Sequence, residues 1–225
     1  MTSRPRFKAV VSDMDGLLLD TERIAHATFL EACGKMGIGD ETEVFKRCIG
    51  LNKVRGKQVL AKGLAGKADP IAFGDYWFQR YLEETAKTIP LQPGAAELLN
   101  FLHSSGIPIA VATSSSTAQA HEKLGHANVL KYIRSIVGGD KVDHSKPHPE
   151  IYLKAAASLG VSPEDCLALE DSENGVRSAV AAGMQVIQVP DFVEPSDDLL
   201  KLAHQVSPDL IHVLDWIKGS RNPAH

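Results

Sequence analysis

The chain has little cysteine, no surplus of positive charge and no long apolar run. Its three cysteines, Cys33, Cys48 and Cys166, are odd in number, widely spaced and form no CxxC pair in 225 residues. No disulfide framework is therefore expected; the pattern fits reduced thiols in the cytoplasm. A formal net charge of −4 argues against a nucleic-acid partner, whose phosphate backbone needs a basic face. No uninterrupted apolar stretch approaches the roughly 20 residues of a membrane span. The opening MTSRPRFKAV leads through a short strand into acids and does not read as a signal peptide. The nine histidines are scattered and offer no zinc spacing. Repeats and low-complexity tracts are likewise missing.

What is present is a chain with 44% hydrophobic residues, enough for one large core or a core with a small second domain. Short Val- and Ile-rich runs at 7–12, 107–113, 135–139, 166–171 and 186–190 read as buried strands. Helical patterns lie between most of them, at 93–106, 148–160 and 173–183, with Pro near the starts of the first two and Gly106, Gly160 and Gly183 at the stops. Strands alternating with helices predict a parallel α/β sheet. A further helix is expected near 196–206, and DLIHVLDWI forms a final segment. Between Thr21 and Pro90 the pattern changes to helices alone. Phe29, Ala32, Cys33 and Met36 share one helix face, and 73–85 carries a cluster of aromatics. A helical block inserted after the first strand predicts a cap over that strand's C-terminal end, where open α/β sheets bind ligands. The expected division is a core of residues 1–20 and 91–225 with a cap of residues 21–90.

The stretch VVSDMDGLLLDTE (10–22) poses the chemical question. Asp13 and Asp15 follow the first strand, and Glu170 and Asp171 follow CLAL. Two unit charges about 4 Å apart repel by roughly 4 kcal/mol at an effective dielectric near 20. If these strands are neighbours, four acids need protons or a cation. Oxygen-only ligands with room for water and phosphate suit Mg²⁺. Asp20 precedes a helix and reads equally as an N-cap. ATSSST (112–117) offers hydroxyls and backbone N–H groups at a helix start, a cap or an anion site. Lys146, before a Pro-started helix, reads singly as a solvated lysine or as an ammonium able to reach a phosphate.

In their order, DMDGLLLDTE, VATSSS, SKPHPEIY and LEDSENG are similar to the four motifs of the haloacid dehalogenase superfamily, in its phosphatase and β-phosphoglucomutase-like branch with a helical cap. The resemblance spans roughly residues 6–192 and implies a doubly wound parallel sheet with an all-helical cap. It implies a mechanism as well. Asp13 would be the nucleophile, forming an aspartyl-phosphate, and Asp15 the general acid and then base, its pKa raised by neighbouring negative charge. Thr113 and Ser114 would hold phosphate oxygens, and Lys146 would balance charge. Mg²⁺ would be held by the carboxylates of Asp13 and Asp171 and the backbone carbonyl of Asp15, with Glu170 beside it through water. Gly16 would permit a sharp turn past the phosphate and Gly175 close helix packing.

Asp15 separates this chain from true dehalogenases, which lack an acid two residues after the nucleophile. The resemblance implies a phosphatase of a small phosphorylated metabolite: a sugar, polyol or nucleoside phosphate. The alternative is a sugar phosphomutase. Mutases of the branch carry a histidine where this chain has Ala25, with His26 one place away. Asn52, Lys53 and Arg55, in GLNKVRGK (50–57), match the branch's substrate-reading loop. A receiver domain also gathers acids, a hydroxyl and a lysine around Mg²⁺, but at about half this length and without the helical insertion. A monomer is expected.

Overall fold

The computed structural model of the protein describes residues 7–202 and 204–221. Six parallel strands form one sheet: β1 (Ala9–Ser12), β2 (Ile109–Thr113), β3 (Ser135–Gly138), β4 (Cys166–Glu170), β5 (Gln185–Gln188) and β6 (Gln205–Val206). Their spatial order is β3-β2-β1-β4-β5-β6. The chain runs outward from β1 through β2 and β3, then crosses back to lay β4 on the other side of β1. That reversal opens a crevice beyond the C-terminal ends of the central strands. The register Ser12↔Leu169 puts Asp13 and Glu170 one step beyond the paired residues on adjacent strands, close at the same sheet end.

Alternation along the strands divides the core into two layers. Val10, Ile109, Val111, Leu167, Leu169 and Ile187 pack with apolar residues of α5 (Ala95–Ser104), α6 (Thr117–His126) and α10 (Leu210–Arg221). Ala9, Val11, Ala110, Ala112, Cys166, Ala168 and Val186 pack with α7 (Glu150–Leu159) and α8 (Glu173–Ala181). Burial on both faces explains why these strands read as continuous apolar runs rather than alternating ones.

The segment after β1 holds four helices: α1 (Thr21–Lys35), α2 (Thr42–Lys46), α3 (Lys53–Gly63) and α4 (Pro70–Thr85). They enclose their own apolar cluster, with Phe29, Phe45, Leu64 and Phe73 fully buried and Trp77 packed against it. Asn52 caps α3 by accepting from Arg55 N–H; Asp69 caps α4 by accepting from Ile71 N–H, with Pro70 in the first turn. Asp20 occupies the N-cap position of α1 but makes no capping bond; its carboxylate instead meets Arg23 Nε at 3.1 Å. The two crossings between sheet and helices run side by side, joined by Asp20 N–H to Pro90 O and Gln92 N–H to Leu18 O.

The expected helix near 196–206 is corrected. Only α9 (Asp197–Leu200) forms, capped by Ser196, and the chain then becomes β6. The open edge of β5 is the reason: Ile187 and Gln188 pair with Gln205 and Val206, and Ser207 N–H continues the ladder to Gln188 O. Among the described residues no helix is long and apolar enough to cross a membrane.

Candidate active site

Asp13 leaves β1 and Asp171 leaves β4, so the sheet register brings both carboxylates to one place. Lys146, in the loop before α7, inserts between Asp13 and the buried Glu170. Its Nζ donates to Asp13 Oδ1 at 2.5 Å and to Glu170 Oε1 at 2.5 Å. All three side chains are buried. Burial opposes the ammonium, but the two carboxylates outweigh it and hold the Lys146 pKa above its ordinary value. Tyr152 OH also donates to Glu170 Oε1, at 2.7 Å. Glu170 Oε2 takes the backbone N–H groups of Asp171 and Ser172 and the Ser172 hydroxyl. Both of its oxygens are thus engaged within the protein. It anchors Lys146.

This anchoring requires Gly175. A Cβ at that position would lie 1.8 Å from Glu170 Oε1. Gly175→Ala is therefore expected to push the Glu170 carboxylate off Lys146, destabilise the fold by about 1–3 kcal/mol, and depress activity. Thermal melts beside turnover measurements check this; a variant with wild-type Tm and rate would contradict it.

Asp15 is held differently. Its Oδ1 accepts from Thr21 Oγ1 at 2.9 Å and Lys123 Nζ at 2.7 Å, and its Oδ2 from Ser115 Oγ at 2.9 Å. Burial pushes its pKa upward, but Lys123, Ser115 and Thr21 together pull it below the usual carboxylate value. The expected rise is corrected: the nearest charge to Asp15 is a cation that motif reading did not single out. Lys123 sits on α6, four residues after Gln119, so one helix face carries both to the site. The Tyr81 ring of α4 lies 5.2 Å from Lys123 Nζ.

The donor set fits a divalent cation. Burial, with Glu170 and Asp13 adding repulsion, raises the Asp171 carboxyl well above the usual range. Burial likewise lifts Asp13 to about 7, Lys146 offsetting part of the rise. Among the described residues none donates a hydrogen bond to the Asp171 carboxylate. Gly16, at φ +85°, brings its backbone so close that a Cβ would meet Asp171 Oδ2 at 2.5 Å. Buried carboxylates that are short of donors and resist ionising suit an oxygen-ligated cation such as Mg²⁺.

Thr113 ends β2, buried, its Oγ1 accepting from Ser115 N–H. Thr113 and Ser114 line a cavity of about 720 Å³ between the sheet's crevice and the helices α1–α4, together with Asp13, Asp15, Lys146 and Asp171. The structure thus gathers these sequence-predicted residues around one space. The family comparison bears on what that space is for. A model of the haloacid dehalogenase-like hydrolases matches residues 10–189. The chain belongs to the haloacid dehalogenase-like hydrolase family. A "Probable pseudouridine-5′-phosphatase" of Drosophila melanogaster is 37% identical over 193 residues, covering 80% of each chain. The "Phosphorylated carbohydrates phosphatase" of Thermotoga maritima is 32% identical over 180 residues, 80% of this chain and 83% of that one. The crystal structure of CbbY from Rhodobacter sphaeroides in complex with phosphate superposes with a TM-score of 0.75 at 28% identity, covering 92% of this chain and 96% of that one. As a haloacid dehalogenase-like hydrolase of the phosphatase type, this protein is an enzyme.

The cap side of the hydrolase site departs from the expectations in places. Asn52 lines the cavity, and its Nδ2 reaches Ser145 Oγ across to the core at 2.9 Å. Arg55 is exposed and does not line the cavity. The Lys53 side chain lies outside the described residues. Lys57 lines the cavity instead. Ala25 also lines it, whereas His26 turns into the aromatic cluster, its Nε2 2.8 Å from Thr42 Oγ1 and its ring 4.9 Å from that of Phe45. None of the described lining residues is a histidine. Glu22, the last residue of the stretch that first drew attention, also borders the space. Burial, with Asp15 nearby, raises its pKa to about 8.

Proposed function

We propose that the protein is a Mg²⁺-dependent phosphatase that hydrolyses a small phosphomonoester through an aspartyl-phosphate on Asp13. The observation that carries this reading is the junction of Asp13, Lys146 and Asp171 at the floor of a cavity large enough for a metabolite. In this reading Asp13 attacks phosphorus in line with the leaving oxygen, while Lys146 holds the nucleophile's orientation and neutralises charge. Thr113 and Ser114 receive phosphate oxygens. Asp15, ionised at rest, must first take up a proton; it passes that proton to the departing alcohol and regains one from the water that opens the phosphoenzyme. The carboxylates of Asp13 and Asp171 and the backbone carbonyl of Asp15 would hold Mg²⁺, which, when bound, supplies positive charge to the transferring phosphoryl group.

Hydrolysis is favoured over phosphoryl shuttling between two positions of a sugar. Mutases of the branch use a histidine on the first cap helix; here Ala25 occupies that place, and His26 is committed to Thr42 and Phe45. The relatives named for phosphatase activity support the same choice. We place the enzyme in the cytoplasm as a monomer, with no nucleic-acid or membrane partner.

A panel of phosphomonoesters assayed for free phosphate, with and without Mg²⁺, tests the reading. Chelation by EDTA is expected to stop turnover; unchanged activity would refute the metal requirement. The pH dependence has a definite sign. The metal takes the deprotonated carboxylates, and Asp13 titrates at about 7 without it. Apparent Mg²⁺ affinity should therefore rise as pH rises through 7, with protons released on binding. Calorimetry in buffers of different ionisation enthalpy measures both; affinity flat across this range would contradict the assignment.

A further inference from the structure

The cavity is divided in chemical character. Its floor is the charged and hydroxyl-bearing end of the sheet, and much of its cap wall is apolar. Phe45 of α2, Leu60 of α3, and Ile71, Trp77 and Phe78 of α4 all line it. Ile71 is 72% exposed and Phe78 40% exposed, so both keep apolar surface open to contact. An open polyol would set several of its hydroxyls against the apolar part of this wall, where they lose water partners. The face of a flat, unsaturated ring has no such requirement and gains dispersion and stacking against aromatic side chains.

Two glycines make the wall wide. Gly56 in α3 and Gly74 in α4 both line the cavity. A glycine inside a helix is destabilising relative to alanine. Yet a Cβ at Gly56 would meet nothing within 4 Å, and one at Gly74 would meet only Leu60 Cδ1, at 3.6 Å. Packing in the resting protein therefore does not require either glycine. What their small size preserves is free space over the floor, in a cavity whose volume of about 720 Å³ falls within the ~300–1,000 Å³ typical of sites for sizeable small molecules. Lys57 and Asp75, also lining residues, offer a donor and an acceptor to the edge of a ring in that space.

We infer that the cap wall is a subsite for a flat heteroaromatic ring on the leaving alcohol, so that the preferred substrates are phosphomonoesters of the nucleoside-monophosphate kind rather than open polyol phosphates. This rests on the phosphatase reading above, and it narrows that reading to one class of alcohol. The glycines at 56 and 74 keep the subsite open, and Phe78 supplies a stacking surface at its mouth.

The test compares uridine 5′-monophosphate with glycerol 3-phosphate in the Mg²⁺-loaded enzyme. Wild-type kcat/KM is expected to favour the nucleotide by about tenfold or more, the order of one ring–aromatic stacking contact. Phe78→Ala removes that surface, and Gly56→Leu fills the space while favouring the helix. Each should cut the nucleotide-to-glycerol ratio by about tenfold; the second variant keeps the test alive if the first folds poorly. Equal or reversed wild-type preference, or a ratio unmoved in both variants, would overturn the inference. Calorimetric binding of both esters to Asp13→Asn separates it from the catalytic reading. Selective nucleotide binding without wild-type phosphate release supports the subsite and sinks hydrolysis, whereas equal binding of the two esters overturns the subsite whatever the turnover.

Discussion

Asp13→Asn should reduce phosphate release by about four orders of magnitude or more, the scale on which enzymes lose rate when a covalent nucleophile is removed. The amide is nearly isosteric with the carboxylate but lacks the charge that attacks phosphorus. It also removes a carboxylate that burial, with Glu170 and Asp15 adding repulsion, raises to about 7. The variant is therefore expected to melt no lower than wild type in the absence of metal while being inactive. That combination separates catalysis from folding. Turnover within tenfold of wild type would rule out Asp13 as nucleophile, and a large fall in Tm would mean that its bond to Lys146, at 2.5 Å, is chiefly structural.

Asp15→Asn is expected to slow turnover by about 10²–10⁴-fold, the usual contribution of a positioned general acid or base. Its metal contact is proposed through the backbone carbonyl, so Mg²⁺ affinity should survive. The two half-reactions should respond unequally when the leaving group needs no proton. With 4-nitrophenyl phosphate, phosphorylation of Asp13 proceeds without an acid, but hydrolysis of the phosphoenzyme still needs a base. A stopped-flow burst of nitrophenolate followed by a slow steady state is the expected signature. A steady state as fast as wild type, with no burst, would place Asp15 outside the dephosphorylation step. The structure gives a reason to expect the base role to be the more exposed: Lys123, Ser115 and Thr21 hold the resting Asp15 carboxylate ionised.

The sheet, the inserted helices and the gathering of Asp13, Lys146 and Asp171 were legible because each rests on local pattern. Buried parallel strands print continuous apolar runs, and Asp13 and Asp171 fall just past strand ends, where register brings them together, while the SKPHPEIY motif marks the loop that carries Lys146. Side-chain partnerships were less legible. Lys123 lies 108 residues from Asp15 in sequence, and only the packing of α6 beside β1's end makes them neighbours. A motif reading therefore assigned Asp15 a raised pKa from its acidic neighbours and missed the ammonium that reverses the sign. Glu170 shows the same limit. Its place in LEDSENG marks it as an acid next to Asp171, but not that Tyr152, Lys146 and the turn into α8 occupy both of its oxygens. Helix phase was informative where it was used: Ala25 and His26 are adjacent, and that single step carries the imidazole out of the cavity and into the aromatic cluster. The edge strand β6 was hidden because two exposed residues carry no periodic signal, and their pairing is decided by the open edge of β5.

The account turns on a phosphoryl group carried covalently by Asp13. Rapid mixing of enzyme, Mg²⁺ and a turned-over phosphomonoester, followed by acid quench and borohydride reduction, converts an aspartyl-phosphate to homoserine that peptide mass spectrometry can locate. Homoserine at position 13 in the wild type, enriched in Asp15→Asn and lost in Asp13→Asn, is the predicted result. Efficient phosphate release with no modified residue, or with the label at another acid, would contradict it.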